Sequence, residues 1–519
     1  MIHGFSWLIN CPRRPLLAAG AASALWLTGC QNYTQQSADF ATAWRAGQLQ
    51  PAVSEVSKKA ADRSESRDAL VWKLEQGAAL RAAALANLPA PTPPPGAPPA
   101  SAMGPGEGES PARDVALLKE SLAALDFAEE KVNYWEDQAK VKVGSEAGAL
   151  LTNQATLPYR GHAYDKVMMN TYKALNYMQL GERDHARVEL NRALQRQKDA
   201  LAENAKRLEA AQEEARKAKT GGAAQGTTTA TYDVERAQND PRTSAALAGV
   251  EAELSSQLRA YGDYVNPFSV FLDGLFFMAQ GEGGADLERA RKSIERVAAM
   301  VPENPYLQVE HEVAEAAAEG RAMEPTTYVF FETGSAPRRQ EIRIDIPTFV
   351  VTNRIAYVGA AFPRLEFDGD FAPSLAVSAG GQALQTSLLC SMDSVIAQDF
   401  KNEWPTIITK TLISTGLKAT LDAVVQNQVK DKDKMTQFLT QIAMTAFQAA
   451  TNIADTRTWT TLPKQFQYCR LATPADRQLT ISGGGQTQTL TLAPGRINVV
   501  YVKSISATTP LWATQFILQ

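Results

Sequence analysis

Along the first 325 residues apolar side chains recur every three to five positions, and beyond Pro325 the interval falls to two. The first spacing is that of a helix with one buried stripe, the second that of a strand with one buried face. The chain therefore reads as α+β, with a helical N-terminal part and a sheet-bearing C-terminal part. Phe40, Trp44, Leu49, Val53 and Val56, then Leu70, Leu74, Ala78 and Leu80, predict helices over residues 31–87, and Val115 to Gln138 continues the pattern. Between them, residues 88–111 carry Pro93, Pro94 and Pro95 followed by several glycines. Such a run holds neither helix nor ladder and is expected to be a disordered or semi-extended loop. From Leu190 to Ala218 a seven-residue spacing of Leu194, Leu201, Leu208 and Ala215 among charged residues predicts one long helix with a narrow seam. Leu247, Leu254, Leu258 and Tyr261 offer a returning helix, so residues 190–262 are expected to form a protruding charged hairpin, either a partner-binding arm or a solvated extension.

After Pro325, Tyr328–Phe331 and Ile342–Ile346 read as strands joined by a turn at Glu332–Pro337. Short strands follow at Ala356–Phe362, Leu365–Phe367 and Leu375–Val377. Two inserted helices are expected, Val395–Gln428 and Met435–Ile453, with Trp404-Pro405 as a kink or first-turn signal. Strands return at Phe466–Leu471, Gln478–Ile481, Thr487–Leu492 and Ile497–Val502, the middle pair linked by Gly483-Gly484-Gly485. The expectation for residues 325–519 is a small antiparallel sheet or sandwich with an inserted helical pair.

Within the helical part, Ala174, Tyr177, Gly181, Ala186, Leu190 and Ala193 fall at relative positions 0, 3, 7, 12, 16 and 19. That spacing resembles the tetratricopeptide repeat, in which small residues let two antiparallel helices approach closely. A looser copy runs through Gly274, Phe277, Ala290, Ile294, Val297 and Pro302. The resemblance implies a solenoid over residues 30–324; a generic helical hairpin is the plainer alternative.

At the N-terminus, Arg13 and Arg14 precede an apolar run that ends in Leu27-Thr28-Gly29-Cys30. This stretch resembles a bacterial lipoprotein signal, too short and wrongly flanked to be a spanning helix. The resemblance implies cleavage between Gly29 and Cys30, removal of residues 1–29 and acylation of Cys30, whose sulfur is the nucleophile lipid transfer needs. Gln31 stands where lipoproteins retained at the inner membrane carry Asp, so the implied address is the outer membrane, on its periplasmic side. Stretches Val329–Ile346 and Asp455–Pro463 are also similar to a poorly characterised family of proteobacterial outer-membrane lipoproteins with helical-repeat N-terminal halves. That family brings no established catalytic residues.

Charge and chemistry narrow the picture further. The formal charge is −4, and −6 without the two arginines of residues 1–29, which argues against nucleic acid as a partner. Beyond Cys30 only Cys390 and Cys469 remain, and their separation leaves two alternatives open, a disulfide or two buried free thiols. His162, His185 and His311 are far apart with no partner at metal-ligand spacing, so no metal and no cofactor are expected. Two polar groupings are candidate linings of a partner or ligand cleft: Glu332 with Arg338 and Arg339, and Asp455 with Arg457. The plainer reading is a hairpin salt bridge for the first and a helix terminus for the second. The reading that follows is a non-enzymatic, lipid-anchored adaptor that docks an envelope protein through its helical repeats, in the service of cell-wall synthesis or secretion. The rival is a periplasmic hydrolase of cell-wall glycan or peptide with Glu332 or Asp455 as its acid.

Overall fold

The structure, a computed structural model, describes residues 33–88, 113–141, 154–220, 223–225, 228–349, 356–429 and 452–519. The lipoprotein-like stretch with Gly29 and Cys30, nearly all of the proline-rich run and most of the second inserted helix lie outside them. Helices α1 (Ala38–Arg45), α2 (Leu49–Asp62), α3 (Ala69–Leu85) and α4 (Arg113–Val141) come first. The stripes anticipated for 31–87 are buried, and α3 is buried almost all round because α2, α4 and the sheet enclose it. Helices α5 (Ala163–Leu180) and α6 (Arg183–Thr220) form one hairpin, and α8 (Pro267–Gln280) and α9 (Gly284–Met300) a second, followed by α10 (Pro305–Ala318). Gly274 sits at a close helix–helix approach, where an added Cβ would lie 2.7 Å from the Ile294 side chain, whereas Gly181 has open space around it and ends α5 as a left-handed cap. Helix α7 (Pro241–Ser255), α8 and α10 each begin with an Asx cap followed by proline, Asp240-Pro241, Asn266-Pro267 and Asn304-Pro305, whose carboxylate or amide oxygens accept the free N–H groups of the first turn.

Beyond a short ribbon of Ala223–Gln225 with Thr228–Ala230, the strands are β1 (Thr326–Thr333), β2 (Arg338–Thr348), β3 (Ala356–Glu366), β4 (Ala376–Ala379), β5 (Gln382–Gln385), β6 (Ser387–Ser391), β7 (Gln465–Ala472), β8 (Gln478–Gly483), β9 (Gln486–Thr491), β10 (Ile497–Ser504) and β11 (Trp512–Ile517). A five-stranded sheet has the order β11-β10-β1-β7-β6, a four-stranded sheet the order β9-β8-β4-β5, and β2 pairs with β3 alone. The glycine turn predicted between β8 and β9 is present, with Gly484 and Gly485 at positive φ as a tight hairpin demands. The purely antiparallel expectation fails at the centre, where β10 lies parallel to β1 with Val500 opposite Val329. Of the turn expected at Glu332–Pro337, Glu332 and Thr333 belong to β1, and the remaining residues carry the chain from the five-stranded sheet to the separate β2–β3 ribbon.

Alternation along β1 and β7 divides two cores. Val329, Phe331, Cys469 and Leu471 face the four-stranded sheet, where Leu375, Val377, Leu479 and Ile481 meet them. Phe330, Phe466 and Tyr468 face the helices; the Phe268 ring of α8 stacks on Phe466 at 3.9 Å, and Phe271 lies 4.7 Å from Tyr468. One hydrophobic cluster therefore runs from Trp44 and Trp72 through Tyr172 and Phe268 to Phe330, Trp404 and Tyr501. The same parity decides the cysteines. Cys390 pairs in register with Phe466 on the helical face, whereas Cys469 faces the other sheet, so both are buried free thiols and no disulfide forms.

Two further expectations are revised. The long charged helix α6 exists, but Leu201 is 53% exposed and the buried seam runs through Ala186, Leu190, Ala193, Gln197 and Ala200. Further along, Leu208 is half-buried and Ala211 and Ala218 are buried, so only Leu201 of the predicted seam turns out to solvent. Nor does the 190–262 segment project freely. Helix α11 (Met392–Val429), which carries Pro405 inside it rather than at its start, packs along α6, with Lys410 3.4 Å from Glu214. On the returning side Thr243 donates to the Asp345 carbonyl at 3.0 Å and Tyr232 to the Pro347 carbonyl at 2.8 Å. The Tyr232 ring fills the gap left by Gly416 on α11, where an added Cβ would lie 2.4 Å from ring atoms. Gly416→Ala would gain about 1 kcal/mol in helix propensity but overpack this contact by about 1–3 kcal/mol. Thermal denaturation is expected to show a lower midpoint, since the ring is pinned by its hydroxyl and cannot retreat.

Candidate functional site

Where α5, α6, α11 and β2 meet, a pocket of about 350 Å³ is lined by His162, Arg207, Arg339, Glu403 and Arg457, with Leu157, Pro158, Pro363 and Ile407 as its apolar walls. His162 is the N-cap of α5, and its backbone N–H donates to Asp165 at 2.9 Å, which fixes the ring's position. The imidazole stacks on Tyr164 at 5.3 Å and meets the edge of Tyr159 at 5.4 Å. Its Nδ1 lies 3.1 Å from Glu403 Oε1 and its Nε2 lies 3.3 Å from the Arg457 carbonyl. Arg339 Nη2, a donor, also lies 3.2 Å from Nδ1, so that nitrogen stands between a carboxylate and a guanidinium. Burial and Arg339 push its pKa down, Glu403 and Asp165 pull it up, and the outcome is a raised value.

Glu403 is the hub. Arg339 Nη2 donates to its Oε2 at 2.8 Å, and Arg207 Nη1 reaches Oε1 at 3.3 Å. Burial pushes this carboxyl up, but His162 and Arg339 hold it well below the ordinary carboxylate range. One helical turn earlier, Asp399 is raised to about 7 by burial and by the charge of Glu403. Such a split pair of carboxyls is the usual signature of acid and base roles. Here Asp399, the one that keeps a proton, is not part of the pocket wall. His162, Asp399 and Glu403 offer donor atoms within 4.8 Å of one another. A cation there would compete with two guanidiniums for Glu403, so the group is organised as an ion-pair cluster.

The residues singled out from sequence divide between three places. Arg339, Asp455 and Arg457 line this one pocket, although they were read as two separate groupings. Arg457 holds Asp455 bidentately at 2.8 and 2.7 Å, reaches Asp68 at 3.1 Å, and donates to the carbonyls of Leu157 and Gln154. All five of its donors are engaged, which makes it a staple between the chain before α5 and the segment after residue 452. Glu332 is not in a cleft. It is 2% exposed at the sheet–helix interface, where Tyr172 and Tyr501 donate to it at 2.8 and 2.7 Å and Lys503 pairs with it. Burial raises its pKa, Lys503 lowers it further, and the balance keeps it ionised. Arg338 lies elsewhere again, paired with Glu366 at 2.9 Å across the β2–β3 ribbon. Of the residues missed from sequence, Asp399 and Glu403 had a local signal, an i, i+4 carboxylate pair on a predicted helix; His162 had none, because Glu403 is 241 positions away.

The cluster makes stability depend on pH. A His with a raised folded pKa stabilises fully below its unfolded value near 6.5, and that contribution disappears as pH rises through the folded value. Asp399, raised from 3.8 to about 7, acts in the same direction, because above 3.8 the unfolded chain releases a proton that the fold retains. Glu75 and Asp393, raised to about 7 and about 6, add to it. Two groups work oppositely: Glu403 as pH falls below 4.5, and Lys418, which burial lowers from 10.5 to about 8, as pH nears 8. The denaturant midpoint is therefore expected to be higher at about pH 5.5 than at about pH 8, and His162→Gln should shrink the difference. A midpoint that rises over this interval would contradict the arrangement.

Among the described residues no helix is long and apolar enough to cross a membrane. Compared with known proteins, the chain matches no family model, no curated protein and no solved structure.

Proposed function

We propose that this protein is a lipid-anchored adaptor of the bacterial envelope, held at the outer membrane through Cys30 and facing the periplasm, and that it works by docking rather than turnover. In this reading the α5–α6 and α8–α9 hairpins, with α10 after them, are a short tetratricopeptide-like stack. The observation that carries the reading is a groove of about 360 Å³ between α6, α8 and α9, with Leu190, Leu194 and Val270 along it and Arg289, Lys292 and Arg296 at its side, Arg289 paired with Asp273 and Lys292 with Glu288 of the same lining. An apolar strip with a charged rim of one net positive charge suits an amphipathic partner helix laid along the hairpins. The opposite face of the stack is filled by the five-stranded sheet, which leaves this groove to a partner. The hydrolase reading has less support: Glu332 and Asp455 are both held ionised by a buried cationic partner, Lys503 and Arg457, and neither carries the proton a general acid must deliver.

The test is crosslinking in intact cells with the Lys292→Glu, Arg296→Glu double variant beside the natural chain. Both side chains are on the surface of α9, so the fold is expected to be unchanged. A defined partner lost selectively from the double variant supports docking through the groove; an identical crosslink pattern at equal protein level counts against it.

A further inference from the structure

The docking groove leaves the pocket around Glu403 unexplained, and the two share no lining residue. Volume is the first clue, since about 350 Å³ falls within the range of roughly 300–1,000 Å³ typical of small-molecule sites. Charge is the second. Arg160, Arg207, Arg339, Lys410, Arg457 and His162 face two wall carboxylates, Glu403 and Asp455. Adding Asp68 and Glu214, which neutralise Arg457 and Lys410 from behind, still leaves six cationic groups against four anionic ones. Asp165 and Asp399 stand further back, and burial raises both toward their neutral forms.

Unmet hydrogen-bonding capacity is the third clue and the most specific. Arg339 is 4% exposed, and its Nε has no partner. Arg207 Nε, Asn204 Oδ1 and Thr406 Oγ1 are likewise buried without partners, and all four residues line the pocket. A buried guanidinium N–H without an acceptor costs about 1–3 kcal/mol, and folded proteins retain few such groups without a use. By contrast Arg457 in the same pocket has every donor engaged, so the open donors are concentrated at Arg339 and Arg207. Opposite them the walls are apolar, with Leu157, Pro158, Pro363 and Ile407.

We propose that this pocket binds a small molecule with one oxyanion head and an apolar body, the head accepting from the free edges of Arg339 and Arg207 and the body lying against Pro158 and Ile407. A guanidinium fork suits either a carboxylate or a phosphate head.

The full-length protein is titrated calorimetrically with benzoate, with phenyl phosphate, and with benzyl alcohol as the uncharged control. One or both anions should saturate the protein by about 10 mM, with benzyl alcohol at least about tenfold weaker. The stronger anion identifies the head group. Arg207→Gln should weaken the anion by about tenfold or more while the thermal midpoint stays near that of the natural chain, because Arg207 is half-exposed and gives up a single 3.3 Å ion pair. Arg339→Gln should abolish binding, and if its buried ion pair with Glu403 proves essential to folding, Arg207→Gln alone decides. No binding of either anion to folded protein, equal binding of benzyl alcohol, or unchanged affinity in Arg207→Gln would each overturn the proposal.

Discussion

Glu332→Ala is expected to destabilise the protein by about 3–5 kcal/mol, among the largest effects of any single polar substitution in it. The carboxylate sits where β1, β10 and α5 meet, and it is the acceptor for Tyr172, Tyr501 and Lys503 at once. Deleting it strands an ammonium that is 4% exposed, together with two buried hydroxyls. Burial lowers the Lys503 pKa, so the variant would gain part of its stability back by releasing that proton at high pH. Replacing the pair together, Glu332→Leu with Lys503→Met, removes the stranded charge and is expected to recover most of the loss. Equilibrium unfolding in denaturant measures both. A Glu332→Ala cost below about 1 kcal/mol would show that the charge reaches water, contrary to the burial described here.

Phe268→Ala is the second large effect, again about 3–5 kcal/mol. Its ring is fully buried, stacked on Phe466 of β7 and edge-on to Phe330 of β1 at 5.8 Å. Because a helix of the N-terminal half supplies the ring and strands of the C-terminal half supply its neighbours, the loss should lower the helical and sheet signals together. Circular dichroism following both signals through thermal unfolding checks this. Loss of the sheet signal alone, with helices melting at the original temperature, would mean that the two parts do not share a core.

These two positions also show how far the sequence could be read. Residue spacing located most of the helices, because a stripe at 3.6-residue intervals is a local property; the Asx-Pro pairs at residues 240, 266 and 304 are a further local signal of three helix starts that the spacing alone does not use. The strands around Tyr328, Phe466 and Ile497 were visible as short apolar runs, buried on both faces. Partnership between strands was not. Nothing local distinguishes a β10 that lies parallel to β1 from one that folds back on its sequence neighbour, and β6, among the shortest strands, carries too few residues to show a period. The cysteine question turned on parity: Cys469 is one residue out of phase with Phe466 and Tyr468, and that single step moves its sulfur to the other face of the sheet.

The candidate site was legible in fragments. Arg339 and Arg457 were flagged for their charge next to a carboxylate, but the carboxylate that gathers Arg339 is Glu403, from a helix inserted between strands. Glu332 reads as a cleft residue because Arg338 and Arg339 follow it at a strand connection, whereas the fold closes the helical layer over it. His162 had no neighbour in sequence to suggest a role, since all its ring contacts come from residues brought together by the fold or from the aromatic pair Tyr159 and Tyr164.

The docking account depends most directly on where the protein is held. Mass spectrometry of protein extracted from native membranes, read on its N-terminal peptide, is the decisive measurement. The account predicts a chain that starts at Cys30 with its thiol converted to a lipid thioether and its peptide found in the membrane fraction. A chain that continues unbroken through residues 29 and 30 with an unmodified thiol, recovered from the soluble fraction, would contradict it.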